Sequence, residues 1–130
     1  MADKNLLARW EGGYRARVSV RDFDILTDEP PSVGGNDEGP TPTELFLASL
    51  ATCFTMAVAH VARKRGITLR HLEVRVHADY EGLRFAWMRL EVTTDLARGD
   101  AEQLVERAKA YCFVSRTLLQ QPEIEYAVVD

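Results

Sequence analysis

The longest apolar stretch of the chain lies in its first half and predicts one central helix. No Asp, Glu, Lys or Arg occurs from Leu45 to Ala62. Pro42 suits the first helical position, with Thr41 as N-cap, and an Arg-Lys-Arg run followed by Gly66 suits the helix end. A helix that is apolar on nearly every side must be buried on nearly every side. Because this chain has only 130 residues, we expect another subunit to provide part of the cover.

Alternating apolar and polar residues predict strands on both sides of this helix. Before it, residues 10–25 alternate as two short strands, with a turn at Gly12-Gly13. After it, residues 71–80 and 84–94 alternate in the same way. The second pair predicts a hairpin with one solvated face.

A second helix is predicted near the C-terminus. Apolar and small residues recur there at steps of three and four as far as Pro122. Asp100 as N-cap with Gln103 three residues later matches a capping box. Cys112 falls on the inward stripe of this helix. A further alternation predicts a final edge strand at Ile124, Tyr126 and Val128.

The composition predicts one globular domain, residues 1–130, because 46% of the residues are hydrophobic and 28% are charged. A net charge of −4 opposes general nucleic-acid binding, which requires a basic surface. The sequence opens without a signal-peptide pattern, so we expect a cytoplasmic protein. The uncharged stretch of 18 residues reaches the lower edge of a membrane span. Its hydroxyl groups and alanines make it only moderately hydrophobic, so we expect a core helix and no membrane.

The chain has two cysteines, Cys53 and Cys112, one on each predicted helix. A lone core cysteine most often only packs, but two thiols in a cytosolic chain favour redox chemistry. One thiolate can be oxidised to a sulfenic acid, and the second thiol can then condense with it to a disulfide. We expect no metal site, since there is no C-x-x-C or H-x-x-x-H pattern and His71 and His77 are too far apart on one strand.

A buried thiol is inert unless a neighbouring group lowers its pKa. The candidate groups are the arginines of the first strands, Arg116 and His60. His60 shares a helix face with Cys53 but lies about 10 Å away along the axis at 1.5 Å per residue. This distance favours a polar residue near the helix end over a catalytic base.

Two stretches of the sequence resemble a known family. They are VGGNDEGPTPTELFLASLATC, followed by an ARKRG helix end, and the later CFVSRTL. Together they resemble the OsmC/Ohr family (osmotically inducible protein C and the organic hydroperoxide resistance proteins) from about Arg21 to Leu118, and most nearly its uncharacterised OsmC-like branch. The resemblance implies an α+β fold with antiparallel sheets around two central buried helices. It also implies an intertwined homodimer with active sites at the subunit interface.

The resemblance implies thiol-dependent reduction of organic hydroperoxides in oxidative-stress defence, without a cofactor. Cys53 corresponds to the peroxidatic cysteine and Cys112 to the resolving one, and a dithiol or lipoyl protein is the implied reductant. In the family an arginine from the N-terminal sheet and a glutamate near the start of the central helix flank the thiolate. Arg21 is the first choice for the arginine and Arg17 the second, and Glu44 is the candidate glutamate.

The sequence departs from the family pattern at two places. The family glutamate directly follows the proline, ten residues before the cysteine, where this chain has Thr43. Glu44 lies nine residues before Cys53, on the opposite side of an ideal helix, so its other possible role is to hold the helix N-terminus. The second departure is C-F-V-S-R in place of C-P-V-H-R, and without the proline an ordinary helix is compatible with Cys112.

We expect an apolar substrate pocket that favours bulky or fatty hydroperoxides over hydrogen peroxide. The residues predicted to line it are Phe46, Leu50, Phe54, Met56 and Phe113. An alternative function is a non-catalytic OsmC-like dimer that binds a small apolar ligand between its helices. In a further alternative the protein is a redox-responsive interaction protein or one in which both cysteines only pack.

Overall fold

Two antiparallel sheets and three helices make up the part of the chain that the computed structural model describes, residues 4–129. The chain forms two compact units, Met1–Leu47 and Ala48–Asp130. The first contains a three-stranded sheet and a long loop, and the second contains a hairpin and most of the helical residues. The expected α+β architecture with antiparallel sheets is confirmed.

The sheet of the first unit has the strand order β1 (Leu7–Trp10), β2 (Ala16–Val20) and β3 (Phe23–Thr27). Val18 lies opposite Ala8 on one side and Ile25 on the other, so these apolar side chains share one face. The sequence predicted β2 and β3 but missed β1, because a four-residue strand offers too few positions for a clear alternation.

The central helix α1 (Pro42–Lys64) has the predicted bounds. At its end the N–H of Gly66 donates to the Arg63 carbonyl over 3.2 Å and the N–H of Ile67 donates to the Ala62 carbonyl over 2.8 Å. Gly66 has a φ of +69°, which a residue without Cβ adopts without strain. This Schellman motif satisfies the last carbonyls and ends the helix.

Only one face of α1 is buried within the chain. The buried residues are Leu50, Phe54, Ala57, Val58, Val61 and Ala62. On the opposite face Thr52, Met56 and Ala59 are exposed, so the expected burial on nearly every side is not reached within one chain. α1 is long and apolar enough to cross a membrane, but the core helix of a soluble protein passes the same test.

The predicted hairpin is confirmed as β4 (Leu72–Glu81) and β5 (Arg84–Thr94), paired from Leu72 and Thr94 to the turn. One register shift occurs between Asp79 and Tyr80. The half-buried face includes Leu72, Val74, Val76, Ala78, Met88, Leu90 and Val92. The other face is solvated, as the alternation predicted.

The second predicted helix begins earlier than expected, as α2 (Arg98–Ala108). Its N-cap is Ala97, which makes no side-chain capping bond, so the capping box predicted at Asp100 and Gln103 is wrong. Helical conformation already begins at Arg98, which places Asp100 inside the first turn.

The predicted helix is also interrupted. After α2 comes a 3₁₀ turn (Lys109–Tyr111), then Cys112 in an extended conformation, and then α3 (Phe113–Leu119). Tyr-Cys-Phe-Val is a run of residues with low helix propensity, which favours a break at this point. Leu104, Ala108 and Cys112 nevertheless remain on one buried stripe.

The predicted final edge strand is wrong. Residues 120–129 form no strand, and Ile124, Tyr126 and Val128 are exposed. A strand needs a hydrogen-bonding partner, and neither described sheet of this chain pairs with the segment.

Candidate active site

Cys53 lies in the middle of α1, beside the buried side of the helix. It follows Leu50 by one turn and precedes Phe54, both of which are buried. Cys53 itself is half-buried and packs against the apolar core cluster. Its thiol is free of any disulfide. The nucleophile candidate therefore lies at the boundary between the core and the surface of α1.

Cys112 lies inside the same cluster and is fully buried. Its backbone has φ −88° and ψ 101°, and its carbonyl accepts from the N–H of Arg116 over 3.0 Å and from Ser115 Oγ over 3.3 Å. The residue thus ends the 3₁₀ turn and begins α3. The ordinary helical backbone that the sequence allowed here is replaced by a break.

One apolar cluster within the second unit contains Cys112 and has Cys53 packed against it. Its members are Leu50, Phe54, Ala57, Val58, Val61, Ala62, Leu104, Ala108 and Cys112, with Cys53 packed against it. A half-buried thiol can meet a reagent from the surface, whereas a fully enclosed thiol is protected from one. Cys53 is therefore the more accessible of the two thiols, and Cys112 is the enclosed one.

Glu44 forms a capping box at the start of α1. The N–H of Glu44 donates to Thr41 Oγ1 over 3.1 Å, and the N–H of Thr41 donates to Glu44 Oε1 over 2.8 Å. Two backbone donors that the helix leaves unpaired are thereby satisfied. The Glu44 carboxylate therefore holds the start of α1. This is the other possible role that its position nine residues before Cys53 suggested.

Arg21 lies in the turn between β2 and β3, where it has a φ of +50°. Its guanidinium carbon lies 5.0 Å from the centroid of the Phe23 ring, a cation–π contact. Arg21 makes no ion pair with any residue from 4 to 129. It is therefore an exposed cation that is held by a ring and not by a carboxylate.

Arg17, the second choice, is tied into an ion-pair network. Its Nε lies 2.9 Å from one Glu11 oxygen, and Arg15 Nε lies 2.8 Å from the other. Arg15 also pairs with Glu38 in the long loop. The hydrogen bonds from Arg17 and then Arg15 lower the pKa of Glu11. This network occupies Arg17, whereas Arg21 lies outside it.

The residues predicted to line the substrate pocket divide into two groups. Leu50 and Phe54 are core residues with little exposed surface. Phe46, Met56 and Phe113 are exposed. The second group can contact a ligand directly, whereas the first can shape the site only by packing beneath it.

His60 contacts the 3₁₀ turn that precedes Cys112. Its ring centroid lies 5.0 Å from that of Tyr111, at an angle of 58°. Both residues are exposed. The contact joins the C-terminal half of α1 to the turn. The exposed position of His60 agrees with the prediction of a polar residue near the helix end.

Asp28 organises the loop before α1, a role that was not predicted from the sequence. The side chain is 1% exposed, and its carboxylate accepts from the N–H groups of Glu29, Asn36 and Glu38 over 2.8–3.2 Å. A Cβ at Gly35 would lie 1.9 Å from the Glu29 carbonyl oxygen. The sequence pattern that could have indicated this role is an Asp at the start of a loop that contains two adjacent glycines. Asp side chains at such positions often accept hydrogen bonds from nearby backbone N–H groups.

Among residues 4–129, no group of three His, Cys, Asp or Glu side chains is placed to hold a metal ion. His77 Nε2 instead lies 2.8 Å from a Glu91 oxygen on the solvated face of the hairpin. His71 lies near Glu73 on the same face. Both histidines are surface residues, as the strand pattern predicted.

Residues 34–127 match a protein family described as OsmC-like protein. Organic hydroperoxide resistance protein-like 2 of Staphylococcus saprophyticus is 32% identical over 127 residues, covering 90% of this chain and 89% of the relative. Organic hydroperoxide resistance protein OhrB of Bacillus subtilis is 31% identical over 102 residues, covering 75% and 74%.

The crystal structure of OhrB of Bacillus subtilis is also similar to this chain. Its TM-score is 0.62 at 26% identity, and the match covers 92% of this chain and 93% of that one. An OsmC-like protein from Mycoplasma pneumoniae has a TM-score of 0.79 at 16% identity, over 92% and 89% of the two chains. The second similarity concerns the fold alone.

Proposed function

Because the chain belongs to the OsmC-like protein family, we propose that it reduces organic hydroperoxides with Cys53 as the peroxidatic and Cys112 as the resolving cysteine. The observation that carries this proposal is the placement of both thiols at one apolar cluster, Cys53 at its edge and Cys112 inside it. The relatives named organic hydroperoxide resistance proteins support the same chemistry.

The proposed cycle has three steps. The Cys53 thiolate attacks the terminal oxygen of the hydroperoxide, so that an S–O bond forms and the O–O bond breaks. Cys53 becomes a sulfenic acid, and the alkoxide that leaves takes a proton to become an alcohol. The Cys112 thiol then condenses with the sulfenic acid, which forms a disulfide and releases water. Finally, a dithiol or lipoyl protein reduces the disulfide through a mixed disulfide and is itself oxidised.

We assign the charge-stabilising role to Arg21. A cation favours the thiolate over the thiol, and Arg21 makes no competing ion pair in the described part of the chain. Glu44 enters the proposal as the residue that holds the start of α1 and not as an acid or base. Its support is the capping box with Thr41.

The proposed substrates are bulky or fatty hydroperoxides. The thiols border apolar side chains, and Phe46, Met56 and Phe113 add exposed apolar surface. We therefore expect faster reduction of cumene hydroperoxide than of hydrogen peroxide. The proposed role is oxidative-stress defence in the cytoplasm. Parallel rate measurements with the two peroxides test the preference.

We also propose that the protein acts as a homodimer. Thr52, Met56 and Ala59 leave one side of the apolar helix α1 exposed, and hydrophobic surface of this kind favours association. Trp10 and Phe23 leave apolar side chains exposed on the three-stranded sheet. A second copy of the chain would cover surface that one copy leaves in water.

The proposal is tested with the purified protein, an organic hydroperoxide and dihydrolipoamide. We expect steady turnover for the wild type and none for Cys53→Ser. Cys112→Ser should still consume about one equivalent in a first rapid phase, because only the resolving step is removed. Consumption by Cys53→Ser at the wild-type rate would refute the assignment.

A further inference from the structure

An open groove of about 410 Å³ lies on the surface of the second unit, along the 3₁₀ turn and α3. Its lining residues are Ala110, Tyr111, Phe113, Arg116, Thr117, Gln120 and Pro122. The volume lies in the lower part of the range for small-molecule sites, about 300–1,000 Å³. Its lining residues lie on both sides of Cys112 in the sequence, but Cys112 itself does not line the groove.

Arg116 is the one charged residue in the lining. Its Nη1 donates to the Ala110 carbonyl over 3.2 Å, which anchors the guanidinium across the break. No described carboxylate, from residue 4 to 129, lies within ion-pair distance of Arg116. On a chain of net charge −4, this groove is a local positive site without acidic residues.

Two aromatic side chains border the same groove. Tyr111 and Phe113 lie on either side of Cys112 in the sequence, and both are more than half exposed, at 52% and 78%. Exposed rings offer flat apolar surfaces on which another ring can stack. The groove thus combines a fixed cation with aromatic walls.

We propose that this groove binds an aromatic carboxylate. The planar guanidinium of Arg116 would receive the carboxylate through paired N–H···O bonds, which is the geometry that arginine favours. The ring of the ligand would lie against Tyr111 and Phe113. The groove shares Phe113 with the proposed peroxide-binding surface, but the carboxylate binding assigned to Arg116 requires no thiol chemistry and does not depend on the proposed peroxidase activity.

The test uses 2-naphthoate as the probe, titrated into the full-length reduced protein and followed by calorimetry. The uncharged 2-naphthalenemethanol keeps the ring system, and acetate keeps only the carboxylate. We expect naphthoate to bind about ten- to a hundredfold more tightly than either, since a hydrogen bond to a charged group contributes about 1.5–3 kcal/mol. Equal binding of naphthoate and the alcohol would overturn the proposal, and so would the absence of naphthoate binding.

The matched variants are Arg116→Gln and Arg107→Gln. Arg107 is an exposed arginine of α2 that borders a different groove, with Asp100. We expect Arg116→Gln to weaken naphthoate binding about tenfold or more and Arg107→Gln to leave it unchanged. Equal losses in both variants would indicate a nonspecific charge effect and contradict the site.

Two further variants keep the test decisive if Arg116→Gln does not fold. Arg116→Lys keeps the charge but loses the paired bonds, so we expect an intermediate affinity. Phe113→Ala removes an exposed ring that lies outside the core, and we expect it to weaken naphthoate but not acetate. Wild-type affinity for naphthoate in both folded variants would overturn the proposal.

Discussion

Glu44 illustrates how one carboxylate can stabilise the backbone at the start of a helix. It accepts from the N–H of Thr41 while its own N–H donates to the Thr41 hydroxyl. A negative charge in the first turn also interacts favourably with the positive end of the helix dipole. The side chain therefore stabilises the start of the helix that carries Cys53.

Substitutions at Glu44 separate capping from catalysis. Glu44→Ala removes the capping box, and we expect a loss of about 0.3–1.5 kcal/mol in the free energy of unfolding. Glu44→Gln keeps an acceptor at this position, so stability and peroxide turnover should stay near those of the wild type. Urea denaturation and the steady-state assay measure the two effects. A loss of turnover in folded Glu44→Gln as large as that in Cys53→Ser would instead place the carboxylate in the chemistry.

Asp28 has a larger structural role than its place in a loop suggests. Asp28→Ala would leave backbone N–H groups of Glu29, Asn36 and Glu38 without their acceptor. Since an unsatisfied buried donor costs about 1–3 kcal/mol, we expect a total loss on the order of 3 kcal/mol. Thermal and urea unfolding measure this loss. Glu29→Ala is the control, because only its backbone bonds to Asp28, and an equal loss there would refute the assignment.

At the scale of elements, the ion pairs around Glu11 join the turn after β1 to β2 and the long loop. Arg17 and then Arg15 lower the pKa of Glu11. A carboxyl group whose pKa is lowered on folding stabilises the folded state above its unfolded pKa, and this contribution is lost as the pH falls through the folded value.

The lowered pKa of Glu11 determines how the stability of the protein should depend on pH. We expect Glu11→Gln to be less stable than the wild type at neutral pH, and the difference should shrink as the pH falls below about 4. High salt should shrink it as well, since the groups are exposed to solvent. Urea midpoints measured across pH test this, with Glu102→Gln as the control on α2. A stability difference that does not change with pH would contradict it.

The elements differ in how far the sequence predicted them. The bounds of α1 and the hairpin could be predicted, because Thr41, Gly66 and the period-two pattern act locally. The break at Cys112 could not, since Leu104, Ala108 and Cys112 fit the pattern of one continuous amphipathic helix. The C-terminal alternation was also misleading, because a strand depends on a partner edge that its own sequence does not specify.

The features of the candidate site also differ in how far the sequence could predict them. The two cysteines and the helix-holding role open to Glu44 could be identified from residue type and spacing. The Asp28 contacts depend on a loop that folds back on itself, and the exposure of the Arg116 groove depends on the helix break. Neither feature has a periodic pattern in the sequence.

At the scale of the whole molecule, the exposed side of α1 leads to a test of assembly. Met56 is 67% exposed, on the side of α1 that also exposes Thr52 and Ala59. We expect the wild type to sediment as a dimer and Met56→Glu to shift toward the monomer, because a buried unpaired charge opposes association. Leu83→Lys, in the exposed turn of the hairpin, should not change the mass. A monomeric wild type at all concentrations in analytical ultracentrifugation would contradict the proposed dimer.

Cys53 and Cys112 are proposed to form one redox pair, and intact-mass analysis of a single oxidation measures this pairing. The reduced protein receives one equivalent of cumene hydroperoxide without added thiol, followed by alkylation and peptide mapping. We expect the loss of two hydrogens per chain and a disulfide that links the Cys53 and Cys112 peptides of the same chain. Cys112→Ser should instead retain a sulfenic acid at Cys53. Alkylation of both cysteines after complete consumption of the peroxide by the wild type would contradict the redox pair.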